Sequence, residues 1–177
     1  MKKIIVFLLV IFIVLGIAYV LVKSYIFPIK YEVYVTKYAR QYNLDEKLIY
    51  SVIKAESQFD SKATSKKNAI GLMQITEDTG KWLSEEMGFN DFSRDKLYDE
   101  EYNIRMGCYY IKDLLEEFKD IETALAAYNA GRGNVNDWIH NRKYTEDGIK
   151  LKYIPFEETK SYIDKINFYY KAYNFIY

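Results

Sequence analysis

Hydrophobic residues follow two patterns along this chain. The stretch from Ile4 to Val22 is a run of nineteen uncharged, predominantly apolar residues, which as a helix is long enough to cross the hydrocarbon core of a bilayer. Beyond this run, apolar residues recur at the three- and four-residue spacing of amphipathic helices, and no segment has a convincing strand pattern. The two patterns predict an all-α protein, in which one N-terminal transmembrane helix precedes a helical domain.

The N-terminal run fits an uncleaved anchor better than a signal peptide. A signal peptide has a shorter apolar core and a cleavage site of small residues, whereas this run continues to Lys23 without such a site. Lys2 and Lys3 favour a cytoplasmic N-terminus and a domain outside the cell, although Lys23 and Lys30 on the far side weaken that charge bias. The predicted parts are an anchor, residues 1–27, with about residues 4–22 in the membrane, and a domain, residues 28–177.

The apolar stripes of the domain predict its helices, and polar residues or glycines mark several of their ends. Gly107 lies inside the longest predicted helix, where glycine costs about 1 kcal/mol relative to alanine, so we expect another helix to approach it closely. The predicted helices are residues 31–43, a helix capped by Asp45, a short helix through residues 71–74 capped by Ser65, a helix between Thr76 and Gly88, a long helix from Asp99 to Phe118, residues 121–130, a turn capped by Asn134, and a last helix opened by Pro155.

Glu56 lies at the end of an apolar helical face. It follows Ile49 by seven residues, Val52 by four and Ile53 by three, and therefore continues the stripe that these residues form. Desolvation on such a face would raise the pKa of the carboxyl and suit it to act as a general acid. Alternatively, the helix ends there and the carboxyl points to water. The spacing alone leaves both interpretations open.

Composition and charge exclude several classes of function. The chain has 25 basic and 25 acidic residues; without Lys2, Lys3 and Lys23, 22 basic residues remain, so the rest of the chain carries a net charge of about −3 and gives no indication of a basic face for nucleic acid. Cys108 is the single cysteine, which excludes an internal disulfide and a cysteine-based zinc cluster. His140 is the single histidine, which excludes a multi-histidine metal site.

Four stretches, in order along the chain, resemble the motifs of one enzyme family. Four ordered matches are far more specific than one short motif. The matching residues are Glu56-Ser57 with Phe59, Ala63, Ser65 and the run Ala69-Ile70-Gly71-Leu72-Met73-Gln74; Asn103-Ile104 with Gly107 and Tyr110; Ala126-Ala127-Tyr128-Asn129-Ala130-Gly131 with Gly133, Val135 and Trp138; and Ile154-Pro155-Phe156 with Glu158-Thr159 and Tyr162. Through these motifs, over roughly residues 31 to 175, the chain resembles the soluble lytic transglycosylase catalytic domain, whose members are goose-lysozyme-like enzymes that cleave bacterial peptidoglycan.

The resemblance implies a lysozyme-like helical fold and a single catalytic residue, Glu56. It implies that this glutamate protonates the β-1,4 bond between N-acetylmuramic acid and N-acetylglucosamine. The carboxylate then takes a proton from the muramyl C6 hydroxyl, which closes a 1,6-anhydro ring. No metal or cofactor is called for. The implied saccharide-binding residues are Ser65, Met73, Gln74, Tyr128, Asn129 and Glu158. Tyr128 is expected close to Glu56, where its phenol can hydrogen-bond to the carboxyl or to the saccharide.

The chain departs from the commonest family pattern at two places. Asn68 stands where a glycine is usual, and because asparagine tolerates the left-handed backbone, the loop need not change. Thr76-Glu77 stands where Met-Pro is frequent, which puts the geometry of the cleft rim in doubt.

Two other functions remain open from the sequence. A hydrolase of the same fold, a goose-type lysozyme, would deliver water in place of the C6 hydroxyl, and fold alone does not separate the two. A membrane-tethered glycan-binding module with a degenerate site would lack activity. None of the acids Asp60, Glu77, Asp78 and Glu158 matches the family motif as a second catalytic carboxylate.

Overall fold

The computed structural model describes residues 2–177, and these residues form a helical protein. No strand occurs in this described part of the chain; the β-type pairing there consists of three isolated bridges. This confirms the predicted all-α class. The helices are α1 (Lys2–Leu21), α2 (Glu32–Gln41), α3 (Glu46–Ser57), α4 (Glu77–Glu86), α5 (Glu100–Phe118), α6 (Ile121–Ala130), α7 (Arg132–Ile139) and α8 (Glu157–Ile176), with a π-helical turn at Val22–Ile26 and a 3-10 helix at Arg94–Tyr98.

Helix α1 and the π-helical turn form one apolar rod, Lys2–Ile26, that is long and apolar enough to cross a membrane. None of the side chains of α1 is buried against the rest of the described protein. A rod of this composition would expose its apolar surface to water in the absence of a membrane.

Helix α3 lies in the core of the domain and packs mainly against α8 and α2. Its apolar face, which contains Leu48, Ile49, Val52 and Ile53, is buried, as the spacing of these residues predicts. Helix α5 packs against α2 and α6, and α6 also contacts α8. The end of α3 is therefore surrounded by elements that come from distant parts of the sequence.

Side-chain caps fix the start of the main helices where the sequence predicts them. The Asp45 carboxylate accepts a hydrogen bond from the backbone N–H of Lys47 at 2.7 Å, and the Asp99 carboxylate accepts one from Tyr102 at 2.8 Å. Thr76 caps α4 in the same way. Each such cap contributes about 1 kcal/mol, so the helix boundaries are set by local interactions.

Three predicted elements differ in the structure. Residues 71–74 form a turn and not a helix, and the Ser65 hydroxyl instead accepts hydrogen bonds from Lys67 and Ala69 within its own loop. Helix α7 begins directly after Gly131, so Asn134 lies inside it and is not its cap. Helix α8 begins at Glu157, after Pro155.

Gly107 allows a close contact, but its partner is a side chain and not a second helix. A Cβ atom at this position would lie 2.3 Å from the sulfur of Met73. Met73 belongs to the turn that follows α3 and is fully buried. The absence of a side chain at Gly107 therefore allows the turn that contains Met73 to pack closely against α5.

Candidate active site

The Glu56 carboxyl stands at the last turn of α3, where the chain reverses sharply. Gln58 and Phe59 both adopt positive φ angles, 53° and 67°, which direct the backbone away from the helix axis. The Ser57 hydroxyl donates a hydrogen bond to the carbonyl of Leu72 at 2.8 Å. This bond ties the end of α3 to the turn at residues 71–74.

The side chain of Asn103, on α5, stabilises that turn through hydrogen bonds to its backbone. Its side-chain oxygen accepts a hydrogen bond from the N–H of Met73 at 2.7 Å, and its amide donates to the carbonyls of Ile70 and Leu97 at 2.9 and 2.8 Å. Asn103 is fully buried with all three bonds made. The backbone beside Glu56 is thus fixed by one amide side chain, a role that the sequence motif alone does not reveal.

Gly71 is required for the same arrangement. Its φ is +78°, and an added Cβ would lie 2.3 Å from the carbonyl oxygen of Leu97 and 2.4 Å from the amide nitrogen of Asn103. No side chain fits between the turn and α5 at this point.

Glu56 opens into a cleft with a volume of about 380 Å³. Its walls come from α3, the loop and turn between α3 and α4, the end of α6 and the start of α8. The cleft is therefore assembled by the tertiary fold. The residues that line it are Glu56, Ser65, Lys66, Lys67, Ala69, Gln74, Thr76, Tyr128, Asn129 and Glu158.

Burial of the carboxyl raises the pKa of Glu56 from its ordinary value of 4.5 to about 7. The Tyr162 hydroxyl and the positive charge of Lys165 act in the opposite direction and lower this pKa, but by less than burial raises it. Of the two interpretations that the spacing leaves open, the structure favours the desolvated acid. At neutral pH the carboxyl is therefore present in both protonation states.

Two tyrosines, Tyr128 and Tyr162, lie close to Glu56, and their hydroxyls have different surroundings. The Tyr128 hydroxyl donates to the backbone carbonyl of Met73 at 2.7 Å and not to the carboxyl. Tyr162 of α8 is the phenol that interacts with Glu56, although its buried hydroxyl makes no hydrogen bond of ordinary geometry among residues 2–177. Burial and the nearby Glu56 raise the pKa of both phenols well above its usual value.

Most of the residues predicted to bind saccharide do meet around the cleft. Ser65, Gln74, Tyr128, Asn129 and Glu158 all line it together with Glu56. The Gln74 amide donates to the Gly71 carbonyl at 2.9 Å. This hydrogen bond stabilises the turn. The side-chain oxygen of Gln74 remains available to accept a hydrogen bond.

Met73 is the exception among these predicted contacts. Its side chain is fully buried and packs against Gly107, so it does not line the cleft. Its side chain is therefore separated from the cleft in which we expect the saccharide to bind. Met73 contributes through its backbone, since its carbonyl accepts the Tyr128 hydroxyl.

Sequence reasoning missed two basic side chains of the cleft, Lys66 and Lys67. Lys67 forms an ion pair with Glu158 at 3.3 Å, which joins the loop after α3 to the start of α8 across the cleft. Both side chains of this pair are mostly exposed, so the pair adds little stability. The proximity of these two residues, distant in sequence, is a property of the fold that no local pattern signals.

The acids of the cleft are few. Among residues 2–177, the only carboxyl groups that line it are those of Glu56 and Glu158. The same residues contain no group of three or more histidine, cysteine or acidic side chains that could hold a metal ion. Of these two residues, Glu158 is mostly exposed, whereas Glu56 has a buried carboxyl.

Comparison with known proteins gives a consistent result. The family model described as the transglycosylase SLT domain matches residues 33–150. The chain is 31% identical over 143 residues to the soluble lytic murein transglycosylase of Salmonella typhimurium, covering 79% of this chain and 22% of that protein. It is 33% identical over 166 residues to the membrane-bound lytic murein transglycosylase F of Desulfosudis oleivorans, covering 77% of this chain and 34% of that protein.

Solved structures give the same picture for the fold. An inactive mutant of the lytic transglycosylase Slt from Pseudomonas aeruginosa has a TM-score of 0.71 at 30% identity, covering 83% of this chain and 24% of that one. The 70 kDa soluble lytic transglycosylase of Escherichia coli has a TM-score of 0.72 at 26% identity, covering 83% and 25%. The chain thus spans only between about a fifth and a third of the length of these relatives. The family match also ends before α8, which supplies Glu158 and Tyr162.

Proposed function

Because the chain belongs to the transglycosylase SLT domain family, we propose that it is a membrane-anchored lytic transglycosylase, which cleaves peptidoglycan with Glu56 as its single acid and base. Relatives that carry the name lytic murein transglycosylase support the activity. The apolar rod Lys2–Ile26, together with relatives named as membrane-bound, supports the anchoring.

The observation that carries this proposal is the state of the Glu56 carboxyl. With a pKa of about 7 in a cleft of about 380 Å³, it can give a proton to a bound substrate and accept one afterwards at neutral pH. A general acid or base works best when its pKa lies near the working pH. An ordinary solvated glutamate would be almost fully ionised there and could not act as the acid.

The proposed reaction moves one proton around a closed cycle. Glu56 protonates the oxygen that links N-acetylmuramic acid to N-acetylglucosamine, and the bond between the muramyl C1 and that oxygen breaks. The muramyl C6 oxygen bonds to C1, and its proton passes to the Glu56 carboxylate. The chain ends are an anhydromuramyl residue and a free hydroxyl on the leaving sugar. Water is not consumed, and the carboxyl returns to its starting state.

This cycle explains why one carboxyl is enough. Ordinary glycosidases need a second carboxylate as nucleophile or to activate water. Here the nucleophile belongs to the substrate, and an intramolecular group held in position has an effective concentration far above that of a free reagent. In this proposal Tyr162 holds the Glu56 carboxyl in position. Ser65, Gln74, Asn129 and Glu158 offer polar contacts along the saccharide.

The proposed location follows from the substrate. Peptidoglycan lies outside the cytoplasmic membrane, so we place the domain on that side, with the N-terminus and its two lysines, Lys2 and Lys3, in the cytoplasm. The anchor would then hold the cleft close to the membrane surface.

Digestion of purified peptidoglycan, followed by mass spectrometry of the products, tests the proposal. The full-length chain should release anhydromuramyl products, which are lighter by one water than products with a reducing end. Glu56→Gln should abolish release because the amide carries no transferable proton. Glu157→Gln, which alters an exposed carboxyl beside the cleft, is the matched control and should retain activity.

Two results would contradict the proposal in different ways. Reducing-end products from the wild-type chain would identify a hydrolase of the same fold. Robust product release by Glu56→Gln would refute the role of Glu56.

A further inference from the structure

The C-terminal turn of α8 is fastened to the end of the apolar rod. The Tyr19 hydroxyl donates to the carbonyl of Ile176 at 3.2 Å. The Tyr177 hydroxyl lies within hydrogen-bond distance of the carbonyls of Lys23 and Phe27, at 3.1 and 2.9 Å. The domain is therefore not joined to the rod by the connecting segment alone, because Ile176 and Tyr177 also form hydrogen bonds with residues at the end of the rod.

These contacts fix the depth of the C-terminus relative to a membrane. Tyr19 lies within the apolar run Ile4–Val22 and only about 4.5 Å along the helix from its end. Because Ile176 bonds to Tyr19, the last turn of α8 lies level with the end of that run. If the rod spans a bilayer, this turn reaches the lipid interface, where tyrosine and other aromatic residues are enriched.

The exposed face of α8 near this turn has the composition of a membrane-binding surface. Phe175 is 90% exposed and Phe168 is 63% exposed. They are seven residues apart and share one face of the helix, with the exposed Lys171 between them. We call these three residues the α8 stripe. Two exposed phenylalanines on one face are unfavourable in water, whereas apolar side chains with lysines between them suit a bilayer surface.

The charge distribution points in the same direction. Residues 19–30 and 165–177 contain four lysines, Lys23, Lys30, Lys165 and Lys171, and no acidic residue. All 25 acidic residues lie in residues 31–164, where removing Lys2, Lys3 and these four from the 25 basic residues leaves 19. The domain body therefore carries a net charge of about −6, while the end next to the rod carries about +4, which would attract anionic lipid headgroups.

We propose that the α8 stripe binds the lipid surface from which the rod emerges, with Phe168 and Phe175 in the interface and Lys171 beside anionic headgroups. This inference rests on the membrane anchoring in the proposed function. The domain then has two membrane contacts, the rod and α8, which together fix its orientation. Since α8 also carries Glu158, fixing the orientation of α8 also fixes the position of the cleft relative to the lipid.

Depth-dependent fluorescence quenching tests the contact in the full-length chain. Phe175→Trp keeps an aromatic side chain on the stripe, and the emission of Trp82 and Trp138 is subtracted with the wild-type chain. Tyr153→Trp is the matched control, since Tyr153 is an exposed aromatic residue that precedes α8 and does not belong to the α8 stripe. Both variants are reconstituted into vesicles of phosphatidylglycerol and phosphatidylcholine whose upper acyl-chain carbons are brominated.

The expected result is that brominated lipid quenches most of the emission that the tryptophan of F175W adds and shifts its maximum to shorter wavelength, while Y153W responds only to an aqueous quencher. Equal aqueous quenching of both variants would overturn the proposal. A shielded F175W that brominated lipid does not quench would overturn it as well, because another copy of the chain would then cover the stripe. Co-flotation of the protein with the vesicles measures membrane anchoring separately. If the chain does not float with the vesicles, the proposed membrane anchor is wrong.

Discussion

Replacing Glu56 by glutamine should change how the stability of the domain depends on pH. The native state raises the pKa of this carboxyl from 4.5 to about 7. Between these two values the native state binds a proton that the unfolded chain does not bind. Stability therefore falls as pH rises through this window and is constant above it, as far as Glu56 is concerned. Glutamine does not titrate, so the variant lacks this loss.

The size of the effect follows from the two pKa values. Each pKa unit corresponds to about 1.4 kcal/mol, so the rise from 4.5 to about 7 corresponds to roughly 3 kcal/mol. We compare the unfolding free energy of Glu56→Gln with that of the wild type at each pH. Relative to the wild type, the variant should be more stable at about pH 8 than at about pH 4 by about this amount. Any constant effect of the amide on packing cancels in this comparison.

Denaturant unfolding of the full-length chain in detergent micelles, followed by tryptophan fluorescence at the two pH values, measures this quantity. Glu158→Gln is the control, because it removes an exposed carboxyl from the same cleft and should follow the pH dependence of the wild type. If Glu56→Gln and the wild type lose stability equally between the two pH values, then the carboxyl is solvated in the native state. A solvated carboxyl would not have the raised pKa that the proposed role of Glu56 as an acid requires.

Three further substitutions test the surroundings of Glu56. Tyr162→Phe removes a hydroxyl that lowers the Glu56 pKa, so the alkaline limb of the pH–rate profile should move to higher pH; an unmoved limb would contradict the contact. Asn103→Ala breaks three buried hydrogen bonds and should cost about 3 kcal/mol in denaturant unfolding, and a loss below about 1 kcal/mol would argue against its role. Gly71→Ala should destabilise the chain and abolish activity through the 2.3 Å approach to Leu97, whereas Gly88→Ala, with a similar φ and open space, should cost only about 1 to 2 kcal/mol.

The sequence alone determined the features that depend on neighbours within a few residues. The apolar run Ile4–Val22, the helical stripes and the caps at Asp45, Thr76 and Asp99 all follow from spacing and from short-range hydrogen bonds. Such interactions act within one or two helical turns, so they can be predicted from the amino-acid sequence. Asn68, with φ of 60°, adopts the left-handed conformation expected of an asparagine in place of glycine.

The tertiary structure decided what each cleft residue does. Spacing left Glu56 either desolvated or in water, and only the packing of α8 and the turn after α3 supplied the burial that raises its pKa. The same packing turned Tyr128 toward Met73, set Tyr162 beside the carboxyl, and buried Met73 beneath the cleft. Desolvation and hydrogen-bond partners depend on atoms that meet in space from distant parts of the chain, and helical periodicity carries no information about which atoms those are.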